Sequence, residues 1–279
     1  MEENTIGIMI LLGIVAIALF GGVKNMPQTT NVITSQAVQQ SETDILKQKL
    51  QLEADKNKSP YKGMVSLQYV TRSTNPAQEY VTLRMSGNAT STVQITGWKI
   101  KSLSSGSEVE IPKGTYLYFA NSINSADNIL LTDQDVVYVI TGTSPLGYSF
   151  KTNKCSGYMS QFQTFVPYLS TNCPAPRNED LSSIPSRVEN DNCFDYIDSF
   201  PSCRIQTDLL PNNYSYECRK FIIDKINYGS CVDTHKSDKD FYQHEWRVYL
   251  GRSDHLWKDK RENIALYDNN GKLVDSLTY

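Results

Sequence analysis

Val65-Ser66-Leu67-Gln68-Tyr69-Val70-Thr71 and Glu79-Tyr80-Val81-Thr82-Leu83-Arg84-Met85 are two short runs in which apolar and polar side chains alternate. A period of two is the pattern of a strand with one buried face. Four more runs of this texture follow: VQITGWKI (93–100), SEVEIP (107–112), TYLYF (115–119) and DVVYVIT (135–141). Turn-forming residues separate them, clearest at Ser86-Gly87-Asn88 and Pro112-Lys113-Gly114. Strands punctuated at intervals of roughly 8 to 15 residues have the rhythm of a sandwich or barrel.

Working outward, the C-terminal NIALYDNNGKLVDSLTY (263–279) gives two more strands around Asn270-Gly271, a strong short-range hairpin signal. Between Phe150 and Trp246 the texture changes to irregular polar stretches, scattered prolines and helix-like pieces such as YECRKFIIDKINYG (216–229). This middle segment, 151–245, reads as an insertion into a β domain formed by 64–150 and 246–279. All six cysteines fall inside it: Cys155, Cys173, Cys193, Cys203, Cys218 and Cys231. An even, irregularly spaced set suits three disulfides, which stabilise a segment too poor in apolar runs to rely on its core. Six cysteines allow about 15 pairings; pairing between neighbours is the expectation. A structural zinc site needs cysteines about two to four residues apart, and no CxxC occurs. One catalytic thiol would leave the other five unexplained.

On the N-terminal side, residues 24–63 are rich in Gln, Ser, Thr, Lys and Asp and read as a polar stalk. Ser41 and Thr43 are candidate N-caps for a short helix through ILKQKLQLEADK (45–56). Before the stalk, IGIMILLGIVAIALFGGV (6–23) is uncharged and just long enough for one transmembrane helix. A cleaved signal peptide would carry a basic leader, whereas this chain begins Met1-Glu2-Glu3-Asn4-Thr5; an uncleaved anchor is expected. Lys24 alone would place the large domain inside. The cysteines argue for an oxidising compartment and outweigh one lysine, so the C-terminal domain is expected on the extracytoplasmic side of the cell membrane.

The strand-rich parts, taken together, resemble the lamin-tail domain of nuclear lamins and bacterial surface proteins. The residues that carry this are Glu79-Tyr80-Val81-Thr82-Leu83, Gly97-Trp98, Ile111-Pro112-Lys113-Gly114-Thr115, and Asn263-Ile264-Ala265-Leu266-Tyr267-Asp268 with Gly271, Val274 and Asp275. The chain departs from the family at Thr82 and Met85, where an acidic residue and an Asn are common. The resemblance implies an immunoglobulin-like sandwich, with Trp98 between the sheets and Gly97 turning the chain before it. It implies binding or scaffolding, because the family has no shared catalytic site.

Composition excludes some partners. With 27 Lys and Arg against 30 Asp and Glu the net charge is −3, which lacks the basic surplus of nucleic-acid binders. Lys258, Lys260 and Arg261 are interleaved with Asp259 and Glu262, the pattern of a solvated face. His235, His244 and His255 match no metal-binding spacing and are expected at the surface. Asp233, Asp238 and Asp240 have lysines among them and lack the EF-hand spacing, while Asp195 and Asp198 fit a short helix. No Gly-x-Ser-x-Gly or phosphate loop occurs. Glycosylation sequons begin at Asn57, Asn88 and Asn213.

The expectation is therefore a mainly β, immunoglobulin-like sandwich with a partly helical, disulfide-bonded insertion and one transmembrane helix. It is read as a non-enzymatic surface protein without metal or cofactor. Its partners are the membrane, through the N-terminal helix, and a surface protein or polysaccharide ligand, with self-association as a further possibility. The alternative is a membrane-anchored extracellular hydrolase with its site in the insertion.

Overall fold

The computed structural model describes residues 44–49, 58–87, 91–120, 122–185 and 188–279. The apolar run 6–23 and most of the expected stalk lie outside the described residues. Among the described residues no helix is long and apolar enough to cross a membrane. The chain divides into Met1–Lys56 and Asn57–Tyr279. In the first unit residues 44–49 are helical, with exposed side chains, overlapping the helix expected over 45–56.

The second unit is mainly β. One sheet has the order β1-β2-β7-β9-β8, built from β1 (Val65–Thr71), β2 (Tyr80–Met85), β7 (Val136–Ile140), β9 (Tyr242–Tyr249) and β8 (Phe150–Asn153). The other has the order β11-β10-β4-β5, from β11 (Leu273–Thr278), β10 (Asn263–Tyr267), β4 (Lys99–Ser102) and β5 (Glu108–Glu110). A two-stranded pair joins β3 (Val93–Gln94) to β6 (Leu130–Leu131). The sheets share one buried core: Val81, Leu83, Met85, Val137 and Val139 from the first meet Ile100, Ile264, Leu266 and Val274 from the second, with Trp98 and Trp257 among them. Fully burying such side chains stabilises the fold by about 1.5–3 kcal/mol each. The alternation read from the sequence thus forms a β-sandwich.

Two runs behave differently from their expected strands. VQITGWKI is not one strand, because Gly97 takes φ +86° and breaks it into β3 and β4, which lie in different sheets. A side chain at Gly97 would strike Asn269. TYLYF forms no strand. Its backbone bridges the sheet only at Thr115, and the Asn124 side chain takes the place of a partner strand by accepting from Phe119 N (2.7 Å) and donating to Phe119 O (3.0 Å).

Residues 58–63, expected in the stalk, lie on the sandwich. Tyr61 packs against Trp98 with ring centroids 5.1 Å apart, and Ser59 Oγ donates to Asp268 (2.7 Å). Asp268 also accepts from the Asn270 and Lys272 amides, so one buried carboxylate closes the hairpin and ties the entering chain to it. At the β1 bulge between Leu67 and Tyr69, Leu67 N donates to Asp275 on β11 (2.8 Å), which links the two sheets. Glu79, fully buried, accepts from Arg72 (2.6 Å), Leu256 N (2.7 Å) and Thr141 Oγ1 (3.3 Å), and pairs with His255 Nδ1 (3.0 Å). Glu262 does the same for the 258–263 turn, accepting from Ser102, Lys258 N and Asn263 N. Polar groups this deep are tolerated because nearly every lone pair is met.

The insertion leaves the sheet after β8 and returns at β9. It carries three short helices, α1 (Asp191–Ser199), α2 (Tyr216–Lys225) and α3 (Tyr228–His235), the last two capped by Ser215 and Asn227 accepting from Cys218 N and Ser230 N. Pairs with neighbouring cysteines do not form. Cys155 joins Cys231, Cys173 joins Cys203, and Cys193 joins Cys218. The first pairing arises because α3 folds back beside the end of β8. The other two interlock within it, and Cys193 on α1 meets Cys218 on α2. Gly157 is needed beside the Cys173–Cys203 bridge, since a Cβ there would collide with Cys203 Sγ.

Candidate functional site

Strand β9 joins the two parts. Its Trp246 and Val248 enter the sandwich core, so Glu245, Arg247 and Tyr249 project from the opposite face of the sheet. That face is covered by the first part of the insertion: Phe150 packs with Phe165 and Leu169, flanked by Met159 and Tyr249. Burial pushes the Tyr249 phenol up to about 12.

Arg247 is the polar centre of this seam and is 1 % exposed. Its Nη1 donates to Pro167 O, its Nη2 to Tyr168 O (3.1 Å) and its Nε to Glu245 Oε1 (2.7 Å), while the guanidinium lies over the Tyr138 ring at 4.7 Å. A buried guanidinium is costly unless neutralised and hydrogen-bonded. Here Glu245 supplies the charge and the loop supplies the carbonyls, so the loop position is specified by the sheet.

Beside Arg247 lies a cleft of about 270 Å³, bounded by the ends of β8 and β9 and by the 169–172 segment. Its walls include Ser156, Leu169, Ser170, Asn172, Gln243 and Glu245, with Asn153, Lys154 and His244 also lining it. The walls are firmly held. Asn153 Oδ1 accepts from Cys155 N (2.9 Å) and its Nδ2 donates to Tyr228 Oη (3.4 Å), and Tyr228 donates to Tyr118 O (2.9 Å). Burial pushes the Tyr228 phenol up to about 12, so it stays a neutral donor. Cys155 and Cys173 fix the same region covalently.

Two ionic groups border the cleft. Lys154 Nζ reaches Asp238 (2.9 Å) and Asp240 (2.7 Å). Asp238 also meets His235 Nδ1 (2.9 Å), whose Nε2 faces Glu179 (3.0 Å). Burial alone lowers the His235 pKa, but the hydrogen bonds to Glu179 and Asp238 outweigh it and hold the imidazole above its ordinary value. Ionised carboxylates only accept, so both bonds are made together by the imidazolium. The second group centres on Asp135, fully buried, which accepts from Thr132 N (2.9 Å) and Lys151 Nζ (3.0 Å) and pairs with His244 Nδ1 (3.1 Å).

The three histidines, expected as unremarkable surface residues, therefore each pair with a carboxylate through Nδ1. The partners of His244 and His255 lie 109 and 176 residues away in sequence, so no local spacing reveals them. Asp233, Asp238 and Asp240 do not converge: Asp233 pairs with Lys236, and the other two with Lys154. Among the described residues no His, Cys, Asp and Glu group has the arrangement of a metal site. Asp195 lies on α1 as expected. Of the basic cluster, Lys258 Nζ donates to Ser104 O (2.9 Å), and the interleaved Asp259 pairs with Arg72. Asn213 is exposed in the turn before α2, whereas Asn57 and Asn88 lie outside the described residues.

No family model matches the sequence, and no curated protein matches it.

Proposed function

We propose that the chain is a non-enzymatic surface protein: an anchor at 6–23, a polar stalk, and an immunoglobulin-like sandwich of lamin-tail type that carries the insertion outside the cytoplasm. The observation that carries this reading is the seam cleft. It is a preformed cleft lined mostly by polar residues and fastened by Arg247 and two disulfides, as a binding module requires. Three bridged cysteine pairs favour an oxidising compartment. The lamin-tail resemblance gains support from the positions of its residues: Trp98 lies in the core, Gly97 turns before it, and Glu79, Asp268 and Asp275 fasten loops and sheets. Ligands of the cleft would be a surface protein or polysaccharide.

The anchor is tested by alkaline carbonate extraction of membranes containing the full chain. Retention in the pellet and removal of the ectodomain by external protease are expected; a freely soluble chain would sink the reading. The cleft is tested by hydrogen exchange of the full chain with protein and polysaccharide fractions of a cell-envelope extract. Slower exchange at 169–172 and 242–245 with either fraction is expected, and unchanged exchange with both counts against it.

One observation favours the hydrolase alternative. Asp135 orients His244 in the manner of a base and its partner carboxylate. Yet no hydroxyl or thiol among the described residues hydrogen-bonds to His244 Nε2, and Glu245 is the one carboxylate lining the cleft, where glycoside hydrolysis ordinarily takes two. Turnover of ester or glycoside substrates that is abolished by His244→Ala would reverse this order.

A further inference from the structure

We infer that the seam cleft binds a neutral carbohydrate, receiving one sugar ring of a longer chain; this rests on the reading of the cleft as the ligand site. The first ground is charge. Glu245 is held by Arg247 at 2.7 Å, and Lys154 by Asp238 and Asp240 at 2.9 and 2.7 Å. An ionic ligand competes with these existing pairs for its own charge partner, which a neutral ligand does not.

The second ground is the unspent hydrogen-bonding capacity. Among the described residues, the side-chain amides of Asn172 and Gln243 have no hydrogen-bond partner, and each offers a donor and an acceptor. Ser156 Oγ and Ser170 Oγ accept from Asn153 N (2.8 Å) and Asn172 N (3.4 Å), which leaves their hydroxyl protons to donate outward. Glu245 Oε2 remains as an acceptor beside the Arg247 bond. Vicinal sugar hydroxyls, each both donor and acceptor, match such a mixture of amides, hydroxyls and a carboxylate. Leu169 adds an apolar wall for the C–H face of the ring.

The third ground is size and edge geometry. About 270 Å³ falls just below the usual ~300–1,000 Å³ of small-molecule sites, which suits one ring. A peptide adding as a strand needs an open sheet edge. Edge strand β8 is partly occupied, because Thr115 N donates to Ser149 O (2.8 Å) and Lys151 N to Thr115 O (3.0 Å). The Asn153 wall and the backbone around the cleft are also set before any ligand arrives, which lowers the entropy lost on binding.

The test is saturation-transfer NMR of the full chain with short neutral oligosaccharides of glucose, mannose and N-acetylglucosamine, and with an oligogalacturonate and an oligolysine as charged probes. Transfer to at least one neutral series is expected, weakened at least ~10-fold by Asn172→Ala combined with Gln243→Ala. Both positions are exposed, so an unchanged circular dichroism spectrum checks that the variant folds. No transfer to any neutral probe, transfer unaffected by the double variant, or stronger transfer to a charged probe would each overturn the assignment. If neutral probes fail while an envelope protein fraction still slows exchange at 169–172, the carbohydrate is wrong and the cleft reading stands. If both fail, both readings fall.

Discussion

The sandwich and its insertion are held by different means. In the sandwich, apolar faces of two sheets meet, and loops are fastened by buried carboxylates: Glu79, Asp135, Glu262 and Asp268 each take a partner from a distant segment, Leu256, His244, Ser102 and Ser59 in turn. In the insertion, cysteines are six of the fifteen residues in the described buried cluster. Its helices are 8 to 10 residues long, shorter than the ~12–15 at which an isolated helix becomes even marginal in water. Where the chain can close a ladder of hydrogen bonds, long-range polar contacts suffice to place the loops. Where it cannot, covalent bonds supply the long-range order.

The largest expected effect breaks this contrast at its strongest point. Cys155→Ser with Cys231→Ser opens a loop of sequence separation 76 and should cost about 4 kcal/mol. Limited proteolysis with mass mapping should then cut within the insertion and spare the sandwich. Simultaneous loss of both would show a single cooperative unit instead.

Glu79→Gln attacks the sandwich in return. It leaves Arg72 and His255 without their buried acceptor and should cost about 3 kcal/mol, read as a lowered midpoint in urea. The insertion should keep its exchange protection, because its bridges do not depend on Glu79. Loss of protection there would erase the distinction between the regions.

Arg247→Met tests the seam. The stem's packing is retained while the bonds to Pro167, Tyr168 and Glu245 are lost, at a cost of about 2 kcal/mol. Faster exchange should be confined to 162–172; an unchanged rate there would deny Arg247 its positioning role.

The smallest effect concerns pH. The His235 pKa is raised in the folded state, so the stability it contributes is complete below the unfolded value and is lost as pH rises through the folded one. His235 is 19 % exposed, and the loss should be the smallest of these effects, setting in as pH rises past the ordinary imidazole range. Urea melts should show this loss in the natural chain and not in His235→Gln; equal pH slopes would exclude the imidazole as the source.

The strands of the sandwich were largely legible. β1 up to its bulge and most of β7 alternate because one face of each enters the core, whereas β2 and β10 bury three consecutive residues and were legible from their apolar content and flanking turns. The first half of β9 was not, since Tyr242, Gln243 and His244 are exposed and polar. The split at Gly97 had a signal in the glycine before Trp98, whereas TYLYF misled because Tyr116 and Tyr118 serve tertiary contacts, Tyr116 against Trp246 at 4.8 Å and the Tyr118 carbonyl to Tyr228. The cysteines announced bridges without their partners, because pairing is set by the return of α3 to β8. The cleft was invisible for another reason. It is assembled from common polar residues of three segments, and Arg247 looks like any strand arginine until the loop is laid over it.

The neck of the insertion has a consequence for variation. Asn153 on β8 pairs directly with Tyr242 on β9, and antiparallel partners lie only about 5 Å apart. In topology the whole disulfide-bonded segment is thus the turn of a single hairpin. Each doubling of a loop's length adds only about 0.6 kcal/mol to its closure, so the length of what hangs there matters little, and the sheet's demand on it is the cover over Phe150, Arg247 and Tyr249. The hairpin is a socket with one fixed contact: a cassette of another size with closely spaced ends fits at Asn153 and Tyr242 if it keeps the cover over Phe150, Arg247 and Tyr249, and the rest of its surface is free to diversify while the two sheets stay the same.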